Sequence, residues 1–301
     1  MTFVVVAPKK ILAPLVKSLR KIKVAADIHP VLRPRKKKNN HDPYSVYAIL
    51  AKRPCKPRGL LLVVPRQANV LNVIPSAVIE NVPIGLLFAD TATDIVQWCD
   101  AMSLWYRAAK QETSYVSLAM NTPYFLSEAA HLMKSVRNAY GRMHCARKLF
   151  ANDFTCDDLL KELSKGPTFV TYLGHSSLRG WSGYRGISWR HIASVPFIKP
   201  CGTIVSISCD TLKYEESRES FGSLLITHGR ACAYLGSAHV IRMHSYSDFI
   251  KLIRMVTTTY HPHTIGELMV QLNRCMDVPS HESEKNDFNN FRLIGNPLQK
   301  F

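Results

Sequence analysis

Two short apolar segments, each closing on a chemically reactive side chain, constrain this sequence more than any other feature. The first covers residues 169–176 and the second residues 203–210, with residues 177–202 between them. Both are rich in β-branched and aromatic residues and are bounded by turn-forming residues, which is typical of strands buried on both faces of a parallel sheet. His175 stands near the end of the first segment and Cys209 near the end of the second.

The connecting segment decides how these two side chains can meet. Residues 180–200 are long enough for a crossover with a short helix, which we predict over residues 187–193, so the strands can be parallel neighbours. His175 and Cys209 would then share the carboxyl rim of the sheet, where open α/β sheets bind ligands. A thiol with an imidazole nearby in space is the arrangement of a nucleophilic cysteine. The alternative is a small buried cysteine and a histidine that serves only a turn.

Other motifs accompany these two segments in a fixed order. They are residues 172–177 (Tyr-Leu-Gly-His-Ser-Ser), Trp181, residues 200–202 (Pro-Cys-Gly), residues 220–225 (Ser-Phe-Gly-Ser-Leu-Leu), residues 229–237 (Gly-Arg-Ala-Cys-Ala-Tyr-Leu-Gly-Ser) and residues 294–297 (Ile-Gly-Asn-Pro). In order and spacing they resemble the gingipain-type cysteine peptidases of the caspase-like clan. A strand at residues 83–85 followed by a helix over residues 91–102 extends the resemblance, so that it covers most of the chain.

The resemblance implies roles for individual residues. It makes His175 and Cys209 a catalytic dyad and the backbone N–H groups of Ser176 and Cys209 an oxyanion hole. Ser176 departs from the family pattern, which usually has Gly there, and a positive φ at that position would strain a serine. The family also implies an acidic residue that selects a basic side chain of the substrate, and Glu128 falls close to its place. Asp210, which follows Cys209 directly, is a second candidate, whereas Glu215 and Glu216 are more typical of a solvated surface.

The order of the predicted elements gives the fold class. We predict an α/β, caspase/gingipain-like protein of mostly parallel sheets flanked by helices, with an N-terminal subdomain at residues 1–111 and a catalytic subdomain at residues 112–301. Besides the two segments above, strands are predicted at residues 3–7, 24–31, 59–64, 84–89, 115–120, 144–150, 231–236 and 291–294. Helices are predicted at residues 12–20, 44–51, 95–109, 127–140, 155–164, 217–228, 246–258 and 264–276.

Positive charge is concentrated at the start of the chain. Residues 1–58 hold fifteen Lys and Arg against two Asp, which is +13 of the net charge of +17. The densest part is a predicted loop with Arg33, Arg35, Lys36, Lys37 and Lys38. Such a block favours contact with nucleic acid or an acidic protein, although a solvated loop would have the same composition.

Cysteine usage and apolar segments bear on the compartment. The eight Cys include no Cys-x-x-Cys pair, and the apolar start of the chain favours a strand over a signal peptide. No apolar run approaches the roughly 18 residues of a membrane span. We therefore expect a cytoplasmic protein with free thiols.

The sequence predicts neither a cofactor nor a metal. It has no glycine-rich phosphate loop. His261, His263 and Glu267 have a metal-like spacing, but a zinc site needs three or four converging ligands, and we interpret these residues as the exposed start of a helix.

Three functional hypotheses follow. The first is a cysteine endopeptidase for limited proteolysis of a protein substrate, with a basic residue before the cut as an extension. The second is a catalytically silent scaffold or binding module whose basic N-terminal region binds nucleic acid or an acidic partner; Ser176 is the feature that favours it. The third combines the two, with the basic region bringing the peptidase to its substrate or to an activating partner.

Overall fold

The structure, a computed structural model, describes most of the chain beyond residue 57. The described residues are 3–7, 26–30, 57–66, 68–69, 76–108, 113–141, 145–216, 218–276 and 287–300, with the single residues 11, 13, 15, 17, 71 and 74. The predicted basic loop with Arg33, Arg35, Lys36, Lys37 and Lys38 lies outside them. Among the residues described, no helix is both long enough and apolar enough to cross a membrane.

Strands alternate with helices along the described chain. The strands are β1 (Phe3–Ala7), β2 (Ala26–Pro30), β3 (Gly59–Val64), β4 (Val78–Ile79), β5 (Val82–Phe88), β6 (Ser114–Ala119), β7 (Cys145–Phe150), β8 (Phe169–Leu173), β9 (Ser176–Ser177), β10 (Gly180–Trp181), β11 (Ile187–Ser188), β12 (Cys201–Ile207), β13 (Ala231–Ser237) and β14 (Phe291–Gly295). The helices are α1 (Val96–Ala108), α2 (Pro123–Tyr140), α3 (Cys156–Leu163), α4 (Trp189–Ala193), α5 (Phe221–Thr227), α6 (Met243–Tyr260) and α7 (Ile265–Met276).

Eleven of the strands form one sheet. Its order is β2-β1-β3-β5-β14-β13-β12-β8-β6-β7, with β4 paired to β5. Neighbours are parallel except at β13–β14 and β4–β5. Two hydrophobic clusters pack against the sheet; along β8 they take alternate residues, with Val170 and Tyr172 in one and Phe169 and Leu173 in the other, as expected when helices cover both faces. The predicted fold class, a mostly parallel sheet flanked by helices, is confirmed.

The last strand joins the N-terminal and C-terminal parts of the sheet. β14 runs parallel to β5, where Ile294 faces Leu86, and antiparallel to β13, where Ile294 faces Tyr234. The sequence predicts this strand but not its place. The sheet is continuous between the two predicted subdomains, and their division at residues 1–111 and 112–301 stays a prediction.

Several predicted boundaries are corrected by capping residues. α2 begins at Pro123, four residues before its predicted start, because Thr122 caps it and proline suits the first turn of a helix. α5 begins at Phe221, four residues after its predicted start, because the side chain of Ser220 accepts from the N–H of Ser223. The predicted Thr155 cap of α3 is present as a capping box with Asp158.

Candidate active site

Strand register brings the two predicted catalytic residues to one rim. β8 and β12 are adjacent and parallel, and Leu173 faces Ile207 at the last pair of their ladder. His175 and Cys209 each lie two residues beyond that pair, at the carboxyl edge of the sheet. Both residues reach the same edge of the sheet because each follows the last paired residue of its strand by two positions.

The His175 loop is fixed through its backbone and its ring. The hydroxyl of Tyr172 donates to the carbonyl of His175 at 2.8 Å, and the N–H of Ser182 donates to the same oxygen at 2.9 Å. The imidazole is exposed on one side and meets Phe125 of α2 edge to face, with ring centroids 5.2 Å apart. The ring is thus backed by an apolar wall and open toward the rim.

Ser176 occupies its position without the strain that the sequence suggested. It is not among the described residues with a positive φ; the left-handed residues of this region are Tyr184 and Arg185. Ser176 instead opens β9 and pairs with Trp181 of β10. The expectation of strain at this position is therefore wrong, because the turn that needs left-handed residues comes later in the chain.

The hydroxyl and the backbone N–H of Ser176 serve different purposes at this rim. Its hydroxyl donates to the carbonyl of Cys209, which ties the two loops together. A trans peptide points its C=O and the following N–H in opposite directions. Because the carbonyl of His175 accepts from Ser182, the N–H of Ser176 points away from β10. It is thus oriented as a donor that β10 does not use.

Cys209 lies half-buried beside the loop that follows β13. The N–H of Ile241 donates to its Sγ at 3.3 Å. Burial raises the pKa of the Cys209 thiol; the Ile241 N–H lowers it, and the carboxylates of Asp210 and Asp287 raise it further. The net pKa lies above the ordinary value of a thiol, so the resting sulfur carries its proton at neutral pH and needs a base.

Asp210 forms the turn that ends β12. Its backbone is left-handed, with φ of 57°, a conformation that Asp tolerates better than most residues. Its N–H donates to the carbonyl of His239 at 3.2 Å, and its carbonyl accepts from Lys213 at 3.1 Å. The structure thus gives Asp210 a conformational role next to the nucleophile.

Glu128 lies on α2 and faces a cation of the chain itself. Its side chain is 16% exposed, and its Oε2 lies 4.0 Å from Nη1 of Arg254 on α6. A substrate cation would have to share this carboxylate with Arg254.

Two clefts are lined in part by residues that lie near His175 or Cys209 in the sequence, and neither cleft includes His175 or Cys209 itself. The larger, of about 720 Å³, lies next to the His175 loop between residues 151–157 and residues 182–186. The smaller, of about 320 Å³, lies beyond Cys209 and is lined by Arg66, Asp90 and residues 212–216.

The metal-like spacing noted in the sequence has another use. The carboxylate of Glu267 accepts from the N–H of His263 at 2.8 Å and pairs with Arg58 at 3.0 Å. No group of three or more His, Cys, Asp or Glu side chains within the described ranges is arranged to hold a metal.

Sequence reasoning missed several residues that shape this site. Tyr172, Phe125 and Ile241 contact the His175 loop or the sulfur of Cys209. In the sequence each is one more apolar residue of a strand, helix or loop, and only the register of Tyr172, three residues before His175, offered a local signal.

Comparison with known protein families identifies one match. The sequence model of peptidase family C25 matches residues 85–301, which is more than half of the chain. The match starts in β5 and includes both dyad residues. No curated protein sequence matches this chain.

Solved structures with a similar fold have low sequence identity. The crystal structure of the Arg-specific cysteine proteinase gingipain R matches at 13% identity, with a TM-score of 0.71 over 99% of this chain and 77% of that one. The complex of the pro- and mature domains of Porphyromonas gingivalis RgpB matches at 13% identity, with a TM-score of 0.70 over 100% and 80%. The Saccharomyces cerevisiae separase–securin complex matches at 13% identity, with a TM-score of 0.54 over 81% and 16%. At such identity the likeness concerns the fold alone.

Proposed function

The chain belongs to peptidase family C25, and we propose that it is an endopeptidase whose catalytic dyad is His175 and Cys209. Family membership supports a cysteine peptidase. The observation that carries the choice of residues is the shared register of β8 and β12, which puts both side chains two residues beyond the Leu173–Ile207 pair. The proposed substrate is a protein cleaved at a limited number of sites in the cytoplasm.

The proposed reaction is acyl transfer to the sulfur. His175 takes the proton of the Cys209 thiol, the thiolate attacks the scissile carbonyl, and the imidazolium returns a proton to the leaving amine. Water then hydrolyses the thioester. The raised pKa of Cys209 fits this order, because a thiol that keeps its proton at rest depends on the base.

The tetrahedral oxyanion needs donors that are already in place. We assign this role to the backbone N–H groups of Ser176 and Cys209. The orientation of the Ser176 peptide, fixed by the bonds of Tyr172 and Ser182 to the preceding carbonyl, supports the first assignment.

A basic residue before the cut extends the proposal. Gingipain R is described as Arg-specific. Asp210 and Asp287 lie close enough to Cys209 for their charges to act on its thiol, whereas Glu128 already faces Arg254. We therefore favour Asp210 over Glu128 as the acid that faces a substrate cation. Identifying the residue that precedes each cleaved bond tests whether the substrate carries a cation there.

A regulating partner is also proposed. Two of the similar structures are complexes, one with a pro-domain and one with securin. The basic N-terminal region, whose charge is +13 over residues 1–58, is the part of this chain suited to an acidic activator or to nucleic acid. The same charge favours the second candidate function, a binding module with a silent dyad.

Cleavage of a mixed peptide library by the purified chain tests the dyad. Cys209→Ala should abolish turnover, because the nucleophile is gone and little packing is lost. His175→Ala should lower it by about 10²-fold or more, the usual contribution of a positioned acid–base group. Products are identified by mass spectrometry, with and without added nucleic acid as a trial activator.

A second thiol provides the control. Cys275 is also half-buried and free, but it lies on α7, and Cys275→Ala should retain full activity. Turnover that survives Cys209→Ala, or that falls equally with Cys275→Ala, would rule out this dyad. A chain that is inactive throughout, and whose Cys209 reacts with a thiol-reactive peptide equally well without His175, would favour the binding module.

A further inference from the structure

One tyrosine outside the dyad contacts the backbone of both catalytic loops. Tyr246 lies on α6 and is 2% exposed. Its hydroxyl donates to the carbonyl of Gly174 at 2.8 Å and to the carbonyl of Ile207. Gly174 directly precedes His175, and Ile207 lies two residues before Cys209.

The position of this hydroxyl matters because the strand ladder ends there. Leu173 and Ile207 form the last pair between β8 and β12. Beyond that pair the ladder ends, and the Ser176 hydroxyl, which donates to the carbonyl of Cys209, links the two loops farther out. A phenol has one proton to donate, and a donor shared between two acceptors is a common arrangement. The hydroxyl of Tyr246 therefore links the two strand ends where backbone pairing stops.

The ring of Tyr246 also contributes to the support of His175. It packs edge to face on Phe125 with centroids 5.4 Å apart, and Phe125 packs edge to face on His175 at 5.2 Å. Burial raises the pKa of Tyr246 well above its usual value, so the phenol remains a donor throughout the working range of pH. One residue thus acts on the His loop through both its hydroxyl and its ring.

A different tyrosine holds the next carbonyl of the same loop. Tyr172 belongs to one of the two hydrophobic clusters and donates to the carbonyl of His175, whereas Tyr246 belongs to the other cluster and donates to the carbonyl of Gly174. Of the two, only Tyr246 bonds to both catalytic strands.

We propose that Tyr246 is a positioning residue that sets the separation of His175 and Cys209 by bridging the carbonyls of Gly174 and Ile207. This inference rests on the proposed dyad. It predicts that loss of one hydroxyl, with no change in substrate contacts, weakens proton transfer between the two side chains. A displacement of about 1 Å in a catalytic constellation can cost about 10²-fold in rate.

Tyr246→Phe is the test, and Tyr115→Phe is its matched control. Tyr115 is also fully buried, and its hydroxyl lies 2.9 Å from Oγ1 of Thr171, joining β6 to β8 away from the rim. Both variants lose one buried hydroxyl from a ring that otherwise stays. Unfolding in urea should show similar losses of stability for the two.

The kinetic readout separates positioning from stability. Tyr246→Phe should lower kcat by about tenfold to 10²-fold with KM changed less than about twofold, whereas Tyr115→Phe should leave both near the wild-type values. Equal kinetic constants for the two variants would overturn the proposal.

Alkylation of Cys209 by iodoacetamide adds a readout that does not need turnover. His175→Ala should be alkylated more slowly than the wild type. Tyr246→Phe should also slow alkylation, but only in a chain that keeps His175. A Tyr246→Phe effect that persists undiminished in the His175→Ala background would overturn positioning while leaving the dyad intact. A wild-type rate that is independent of His175 would overturn the dyad, and the positioning role with it.

Discussion

Burial and the surrounding charges together decide how the thiol of Cys209 behaves at rest. Burial is the largest influence and raises the pKa; Asp210 and Asp287 raise it further, against the opposing effect of the Ile241 N–H. Asp287 is held in place by Arg242, whose Nε lies 3.0 Å from its Oδ2. The thiolate of Cys209 therefore forms at a higher pH than the thiolate of an ordinary cysteine, unless a base takes the proton or a bound substrate lowers the pKa of the thiol.

Asp210→Asn should make Cys209 more reactive at neutral pH. The substitution removes a nearby negative charge, which lowers the pKa of the thiol, and Asn tolerates the left-handed backbone as Asp does. A lower pKa means a larger thiolate fraction at pH 7, and the alkylation rate rises with that fraction. The pH profile of iodoacetamide alkylation measures this change, with Asp100→Asn on the exposed side of α1 as the control. A profile that stays in place, or moves to higher pH, would contradict it.

At the scale of elements, the rim depends on a close approach of β6 to β8. Gly174 follows β8, and a Cβ at this position would lie 2.6 Å from the hydroxyl of Tyr172 and 2.8 Å from Cβ of Met120. Glycine is therefore required here by space, since φ of Gly174 is not positive. The absence of a side chain lets Tyr172 reach the carbonyl of His175.

Gly174→Ala should destabilise the fold by about 1–3 kcal/mol, the usual cost of overpacking a dense site. Gly183→Ala provides the comparison, because a Cβ there would lie 3.2 Å from the same hydroxyl and needs a smaller adjustment. The free energy of unfolding in urea is the measurement. Equal losses for the two variants would show that the space around Tyr172 is not what requires glycine at residue 174.

For the molecule as a whole, most of the positive charge and the candidate active site lie in different parts of the sequence. Residues 1–58 carry +13, so the remaining chain carries only +4 of the total. The proposed dyad lies within residues 59–301, where Asp210 directly follows Cys209.

Binding to nucleic acid should therefore weaken steeply with salt, because each neutralised phosphate releases counterions. Replacing Arg35, Lys36, Lys37 and Lys38 by Ala should flatten the plot of log affinity against log salt concentration. A control set with the same change of charge replaces four exposed basic residues elsewhere: Lys134, Arg137, Arg190 and Lys213. Fluorescence anisotropy with a labelled oligonucleotide reports the slopes. Equal slopes for the two sets, or no binding at low salt, would favour a solvated loop.

The sequence by itself determined what depends on neighbours along the chain. Apolar composition predicted β8 and β12, although they end at Leu173 and Ile207, three residues before the ends of the predicted segments. The Thr155 cap of α3 follows from side chain to backbone bonds within one turn. Strand composition and helix caps act over a few residues, so their sequence patterns are sufficient to predict them.

Tertiary structure alone decided which distant groups meet at the rim. Nothing in the sequence places β14 between β5 and β13, directs the hydroxyl of Tyr246 to Gly174 and Ile207, or brings the N–H of Ile241 to the sulfur of Cys209. Each of these contacts joins residues more than thirty positions apart. Their free energy depends on the packing of helices on both faces of the sheet, and a helix pattern shows that a residue such as Tyr246 is buried without showing which backbone atom it will meet.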